Sequence, residues 1–106
     1  MKESQKTEFK QIWKDEYLKH ICAFANTYGG SLLIGINDSG VIVGINESKK
    51  LLEDIPNKTI HLLGIVVDIH LQERAGKEYL EIVVHPSSVP ISYKGIYYVK
   101  SGSTRQ

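Results

Sequence analysis

Between residues 7 and 13 the chain alternates, with Phe9, Gln11 and Trp13 on one side and Glu8, Lys10 and Ile12 on the other. A period of two predicts a short strand. Asp15 and Glu16 follow, acids that complement the N-terminal dipole of a helix. Tyr17, Leu18, Ile21, Cys22, Ala25 and Tyr28 then recur at helical spacing, and Gly29 and Gly30 supply a C-terminal cap. Residues 31–36 are apolar nearly throughout, which predicts a strand buried on both faces. Asn37, Asp38, Ser39 and Gly40 are turn chemistry, and 41–45 reads as the returning strand of a hairpin. Residues 47–63 carry a helical pattern (Leu51, Leu52, Ile55, Ile60, Leu63) interrupted by Pro56, so a kink or two short helices is expected. Two strands at 65–71 and 79–85 flank the polar stretch 72–78, with Gly76 at its turn. A last strand at 95–100 follows the loop 86–90. The order β-α-β-β-α-β-β-β predicts an α+β fold: one domain, a mixed or antiparallel sheet covered by two main helices.

The chain has 106 residues, enough for one domain with a modest core and no staple. Apolar residues at 42% and charged residues at 24% exclude a disordered chain. Cys22 is the single cysteine, so no internal disulfide can form, and the four histidines show no ligand spacing with it. No apolar stretch approaches a membrane span and no signal-peptide pattern opens the chain, which points to the cytoplasm.

The formal net charge is only +1, but it is unevenly spread. Residues 38–85 hold eight acids against five bases, whereas 86–106 hold Lys94, Lys100 and Arg105 and no acid. The basic ending is interleaved with Tyr93, Tyr97 and Tyr98, a mixture that suits phosphate contact with base stacking. A tyrosine-rich strand with solvated lysines accounts for the same composition. No phosphate-cradling loop is present: Gly29 and Gly30 lack a following Lys-Ser/Thr, so no nucleotide or other cofactor is expected in this chain.

Three stretches carry a resemblance. They are Glu3-Ser4-Gln5 with Glu8-Phe9-Lys10, then ICAFANTYGGSLLIGINDSGVIVGI (21–45), then VPISYKGIYYVKSGST (89–104). Together they resemble the Schlafen-type AlbA-like domain across almost the whole chain, and the ending is more like bacterial RecG-like or transcriptional regulators. The resemblance implies a nucleic-acid-binding domain, with DNA the favoured partner. It also implies a longer regulator in which an ATP-binding domain and a winged helix follow residue 106.

On this reading Lys10, Lys94, Lys100 and Arg105 are the candidate phosphate contacts, and Asn26 can bond a phosphate or a base edge. The plainer alternatives are solvated lysines and an Asn26 that satisfies backbone groups at a helix end. The family often carries Arg where Lys100 stands, so a bidentate contact would become a point charge. Nuclease members of the Schlafen group bring two Glu five residues apart together with a later Asp around a divalent metal. Glu3, Glu8 and Asp38 match that spacing and imply a metal-dependent ribonuclease as the alternative function. Against it, Glu8 can pair with Lys10 and Asp38 is an ordinary turn residue. The balance leans away from an enzyme. A third reading is an assembly module that forms a homodimer through its sheet.

Overall fold

The apolar run at residues 31–36 lies inside the sheet. In the computed structural model, which describes residues 2–100, four strands lie in the order β1-β2-β4-β3. They are β1 (Thr7–Lys10), β2 (Gly30–Ile34), β3 (Asp68–Arg74) and β4 (Lys77–Val84). β1 runs parallel to β2, and β4 is antiparallel to both β2 and β3. Helix α1 (Leu18–Ala25), entered through a 3-10 turn at Asp15–Tyr17, carries the chain from β1 to β2. A parallel pair needs such a crossover. Helix α2 (Ser48–Leu63) lies with α1 on one face of the sheet. The architecture is α+β, with a mixed sheet and two helices.

Pleating explains the core. Leu32, Ile34, Leu80, Ile82 and Val84 point to the helices and meet Leu18, Ile21, Phe24, Ile55 and Leu63. Leu33 points the other way and joins Phe9 and Ile36 in a small second cluster closed by Ile42 and Tyr79. β2 is therefore apolar on both faces, as its sequence predicts. The join between α1 and β2 requires glycine twice. Gly29 has φ +77°, and a Cβ there would stand 2.6 Å from the Val84 carbonyl oxygen. A Cβ on Gly30 would meet the Phe24 ring at 2.5 Å.

Four elements differ from expectation. α1 ends at Ala25 rather than Tyr28, and the Gly29 amide closes it by donating to the Phe24 carbonyl (2.9 Å). Pro56 does not split α2: Ile55, Thr59 and Leu63 form one buried stripe at i, i+4, i+8, and that packing outweighs one missing hydrogen bond. Residues 41–45 form no strand beyond the isolated Ile36–Ile42 bridge. Gly35 and Gly44 take φ of +106° and +89° there, outside the β region, and the Val43 and Gly44 amides both turn to the Gly35 carbonyl. Residues 95–100 join no sheet, and side chains hold them instead.

The β3–β4 strands extend through the polar stretch 72–78 to a two-residue turn at Ala75 and Gly76. Asp68, His70, Gln72, Lys77 and Glu81 fall on the sheet face that the helices leave open, whereas Glu78 lies on the helix side and accepts from Ser48 Oγ of α2 (2.9 Å).

Candidate nucleic-acid interface

After β4 the chain crosses back over α1 as a strap. It docks first where the Ser87 amide donates to the Ala25 carbonyl (2.8 Å). It then turns tightly: Tyr93 and Ile96 exchange both backbone hydrogen bonds (2.9 and 3.0 Å), with Lys94 and Gly95 at φ +52° and +81°. Two successive positive φ values define the primed turn that suits a two-residue hairpin. Ile91 and Tyr93 are buried in the main core, while Lys94, Ile96 and Tyr97 face solvent.

Asn26 clamps both arms of this hairpin. Its Oδ1 accepts from the Ile91 amide (2.7 Å), and its Nδ2 donates to the carbonyls of Ile91 (2.6 Å) and Tyr98 (2.8 Å). The Asn26 amide, a candidate phosphate or base contact in sequence, is thus directed at backbone. Cys22 Sγ also donates to the Ile91 carbonyl (3.2 Å), and burial pushes its thiol pKa up.

The strap continues to Lys100, whose ammonium lies 5.1 Å above the Phe24 ring and 3.2 Å from Glu8 Oε1. Lys10, two residues along β1 on the same pleat face, stands 3.7 Å from Glu8 Oε2 and 4.8 Å over the Tyr17 ring. One carboxylate between two ammoniums leaves this cluster itself with one surplus positive charge, on a strand whose outer edge also holds the Glu3 carboxylate. The Lys100 side chain is only 17% exposed, so its charge serves Glu8 more than solvent. His20 packs against Tyr17 (ring centroids 5.8 Å). Its pKa is lowered to about 4, first by burial and then by Lys10, Lys100 and Lys19, while Glu8 opposes the shift.

Lys94 belongs to a second group. Its ammonium stands 5.4 Å from the Tyr93 ring, and the Tyr93 hydroxyl reaches the Asp15 carbonyl (3.5 Å). Asp15 in turn accepts from Lys58 (2.8 and 3.0 Å) and from the Trp13 indole (2.8 Å). The Lys58 bond, with help from Trp13 and from the charge of Lys94, holds the Asp15 carboxyl below its usual pKa and raises that of Lys58. Trp13 meets Tyr17 edge-on (6.3 Å, 86°), so an aromatic pair lies between the Lys10 group and the Lys94 group.

The structure therefore brings Lys10 and Lys100 together around Glu8 and holds Lys94 at a turn tip. Arg105 lies outside the described residues. The acidic trio is not gathered. Glu3 folds back to accept the outward-facing Phe9 amide (2.8 Å), Glu8 is neutralised by its lysines, and Asp38 sits exposed in the turn organised by Asn37. Among the described residues no three His, Cys, Asp or Glu lie close enough to hold a metal ion. Trp13, Tyr17, Asp15 and Lys58 were not legible as site residues. The available signal was the run Phe9, Trp13, Tyr17 at spacings of four, threaded by Lys10 and Lys14.

The four-stranded mixed sheet thus carries both helices on one face and a strap clamped across α1. The chain belongs to the family described as Schlafen, AlbA_2, which matches residues 3–106. It is similar to the solved N-terminal domain of a RecG-related protein from Nitrosomonas europaea, with 27% identity and a TM-score of 0.72, over 100% of this chain and 84% of that one. It also shares its fold with the DIP2311 protein of Corynebacterium diphtheriae, with 21% identity and a TM-score of 0.69, over 84% of this chain. The chain spans 19% of the length of that protein. No described helix is long and apolar enough to cross a membrane.

Proposed function

We propose that the chain is a nucleic-acid-binding module, with DNA the preferred partner, that works within a cytoplasmic bacterial regulator of the RecG-like kind. In this reading ATP binding belongs to other domains of a longer protein. The observation that carries the proposal is the display of Lys94. A lysine is held at φ +52°, where a side chain costs about 1–2 kcal/mol, at the exposed tip of a rigidly clamped turn beside Tyr93 and Tyr97. The surplus charge at Lys10 and the aromatic pair between the two groups extend that surface. The RecG-related relative, named for its kinship to an ATP-dependent DNA helicase, supports DNA as the partner.

The test is a titration of the chain with labelled duplex and single-stranded DNA at rising salt. Affinity should fall steeply with salt, and Lys94→Glu should lower the salt slope by about one on every sequence alike. Lys50→Glu, on α2, should have less effect. Equal effects of the two substitutions, or undetectable binding at low salt, would overturn the proposal.

A second reading, self-association, has its own observation at the free edge of β3. The turn at Ala75 and Gly76 makes Arg74 and Lys77 a hydrogen-bonded pair, which turns the backbone groups of Ile69, Leu71 and Glu73 outward. Among the described residues nothing pairs with them. An antiparallel copy centred on Leu71 would place Asp68 opposite Arg74 at both ends. If that pairing forms, Asp68→Arg should leave a monomer and Asp68→Arg with Arg74→Asp should restore the dimer, as read by sedimentation.

A further inference from the structure

The loop that leaves β1 borders an open cleft of about 270 Å³. Its apolar lining comes from Trp13, Ile45 and Leu51, and its polar groups from Gln11, Asn46 and Glu47. Apolar lining with a few convergent hydrogen-bonding groups is the usual make-up of a small-molecule site. Three features narrow the occupant. The cleft begins one residue after Lys10, and Trp13 is tied through Asp15 to Lys58, so two lysines lie near it, each sharing its charge with a carboxylate (Glu8 and Asp15). Glu47 is one of the lining residues, and a carboxylate at the cleft repels a phosphate, so the charged part of a ligand belongs outside and a neutral part inside. Trp13 is also fixed in place, because its indole N–H is committed to Asp15 and its ring packs on Tyr17.

A flat, neutral heterocycle between phosphates meets these conditions, and that is a nucleobase turned out of its stack. Resting on the nucleic-acid reading above, we infer that this cleft receives one unstacked base of a single strand, with the flanking phosphates directed to Lys10 on one side and to the Lys58–Lys94 side on the other. The Glu47 carboxylate adds a preference. It can accept from an exocyclic amino group, as cytosine and adenine offer, whereas thymine presents only its single ring N3–H between two carbonyl oxygens that a carboxylate repels. The Gln11 and Asn46 amides can complete the base edge.

The experiment uses the chain's own probe, since Trp13 is its single tryptophan. Tryptophan emission is followed during titration with oligo(dC), with oligo(dT) and with an abasic sugar-phosphate oligomer of the same length, while anisotropy of labelled oligomers reports binding. The expected result is quenching by oligo(dC), about tenfold tighter binding than to the abasic oligomer, and weaker binding of oligo(dT). Glu47→Gln should bring oligo(dC) and oligo(dT) to within about twofold of each other. Leu51→Trp, which fills the cleft and leaves the lysines in place, should reduce oligo(dC) binding to the abasic level. Equal binding of all three oligomers without quenching would overturn the base site while leaving the phosphate-contact reading intact. Binding of none of them would overturn both.

Discussion

Two tight turns in this molecule share one backbone geometry and differ in everything that holds them. Ala75 and Gly76 have φ of +54° and +78°, and Lys94 and Gly95 have +52° and +81°. In each, a residue with a side chain occupies the left-handed region ahead of a glycine, the arrangement a two-residue hairpin needs. The first turn closes a seven-residue strand onto an eight-residue one, so ladder hydrogen bonds fix its arms. The second closes arms that share one isolated bridge, and what fixes them is the amide of Asn26. The same local strain is thus carried by a sheet in one place and by a single side chain in the other. A hairpin freed from the sheet can lie across a helix and present its tip to a partner, but it depends on its clamp.

The sharpest way to break this comparison is to remove the clamp. Asn26→Ala should cost about 2–4 kcal/mol in urea unfolding, because three half-buried backbone hydrogen bonds are lost and only the Ile91 carbonyl keeps a second donor, Cys22 Sγ. Gln72→Ala, which removes a side-chain bond to Glu81 in the other hairpin, should cost less than about 1 kcal/mol. A loss below about 1 kcal/mol for Asn26→Ala would mean that burial of Ile91 and Tyr93 alone holds the strap.

Acid should reach the strap hairpin before the sheet hairpin, through His20. The unfolded ring titrates near 6.5 and the folded ring at about 4, because burial and the lysines beside it disfavour its charged form. Between those values the unfolded chain binds more protons. Stability is therefore full above pH 6.5, falls as pH drops towards 4, and is unaffected by this group below that. The loss is on the order of 1–2 kcal/mol after allowing for the solvent that reaches the ring. His20→Gln should flatten the melting temperature across that window, and an unchanged slope would show that other groups set it.

The smallest effect concerns the turns themselves. Ala75→Gly and Lys94→Gly should each stabilise the fold by about 0.5–1 kcal/mol, the relief of left-handed strain less the added chain entropy. Only Lys94→Gly should weaken DNA binding. Loss of binding in Ala75→Gly as well would erase the functional distinction between the two turns.

Much of the fold was legible because its signals are local. The apolar run at 31–36 marked a strand buried twice over, Gly29 and Gly30 marked the end of α1, and Gly76 marked the β3–β4 turn. Boundaries slipped where a residue's neighbours in space outvoted its neighbours in sequence. Pro56 should break a helix, yet the stripe Ile55, Thr59, Leu63 packs on the sheet and keeps α2 whole. Val41 and Val43 have strand-like side chains, but Gly35 and Gly44 bend the backbone away from any ladder.

The candidate site divides along the same line. The types and order of its groups are set by sequence alone: a basic, tyrosine-rich ending without acids, acids spaced five apart, and the family motifs. Their pairing is not, because charge is read in space. Glu8 and Lys100 lie 92 positions apart and meet only because β1 is the sheet edge beside α1 and the strap returns across that helix. That meeting turns a candidate metal ligand and a candidate phosphate contact into each other's counter-ion. Asn26, readable either as a ligand contact or as a helix-end residue, becomes the clamp because folding places the Ile91 and Tyr98 carbonyls and the Ile91 amide within its reach. Periodicity and turn chemistry act within a few residues and survive in one dimension, whereas desolvation, ion pairing and hydrogen-bond satisfaction depend on which segments the packed core brings together.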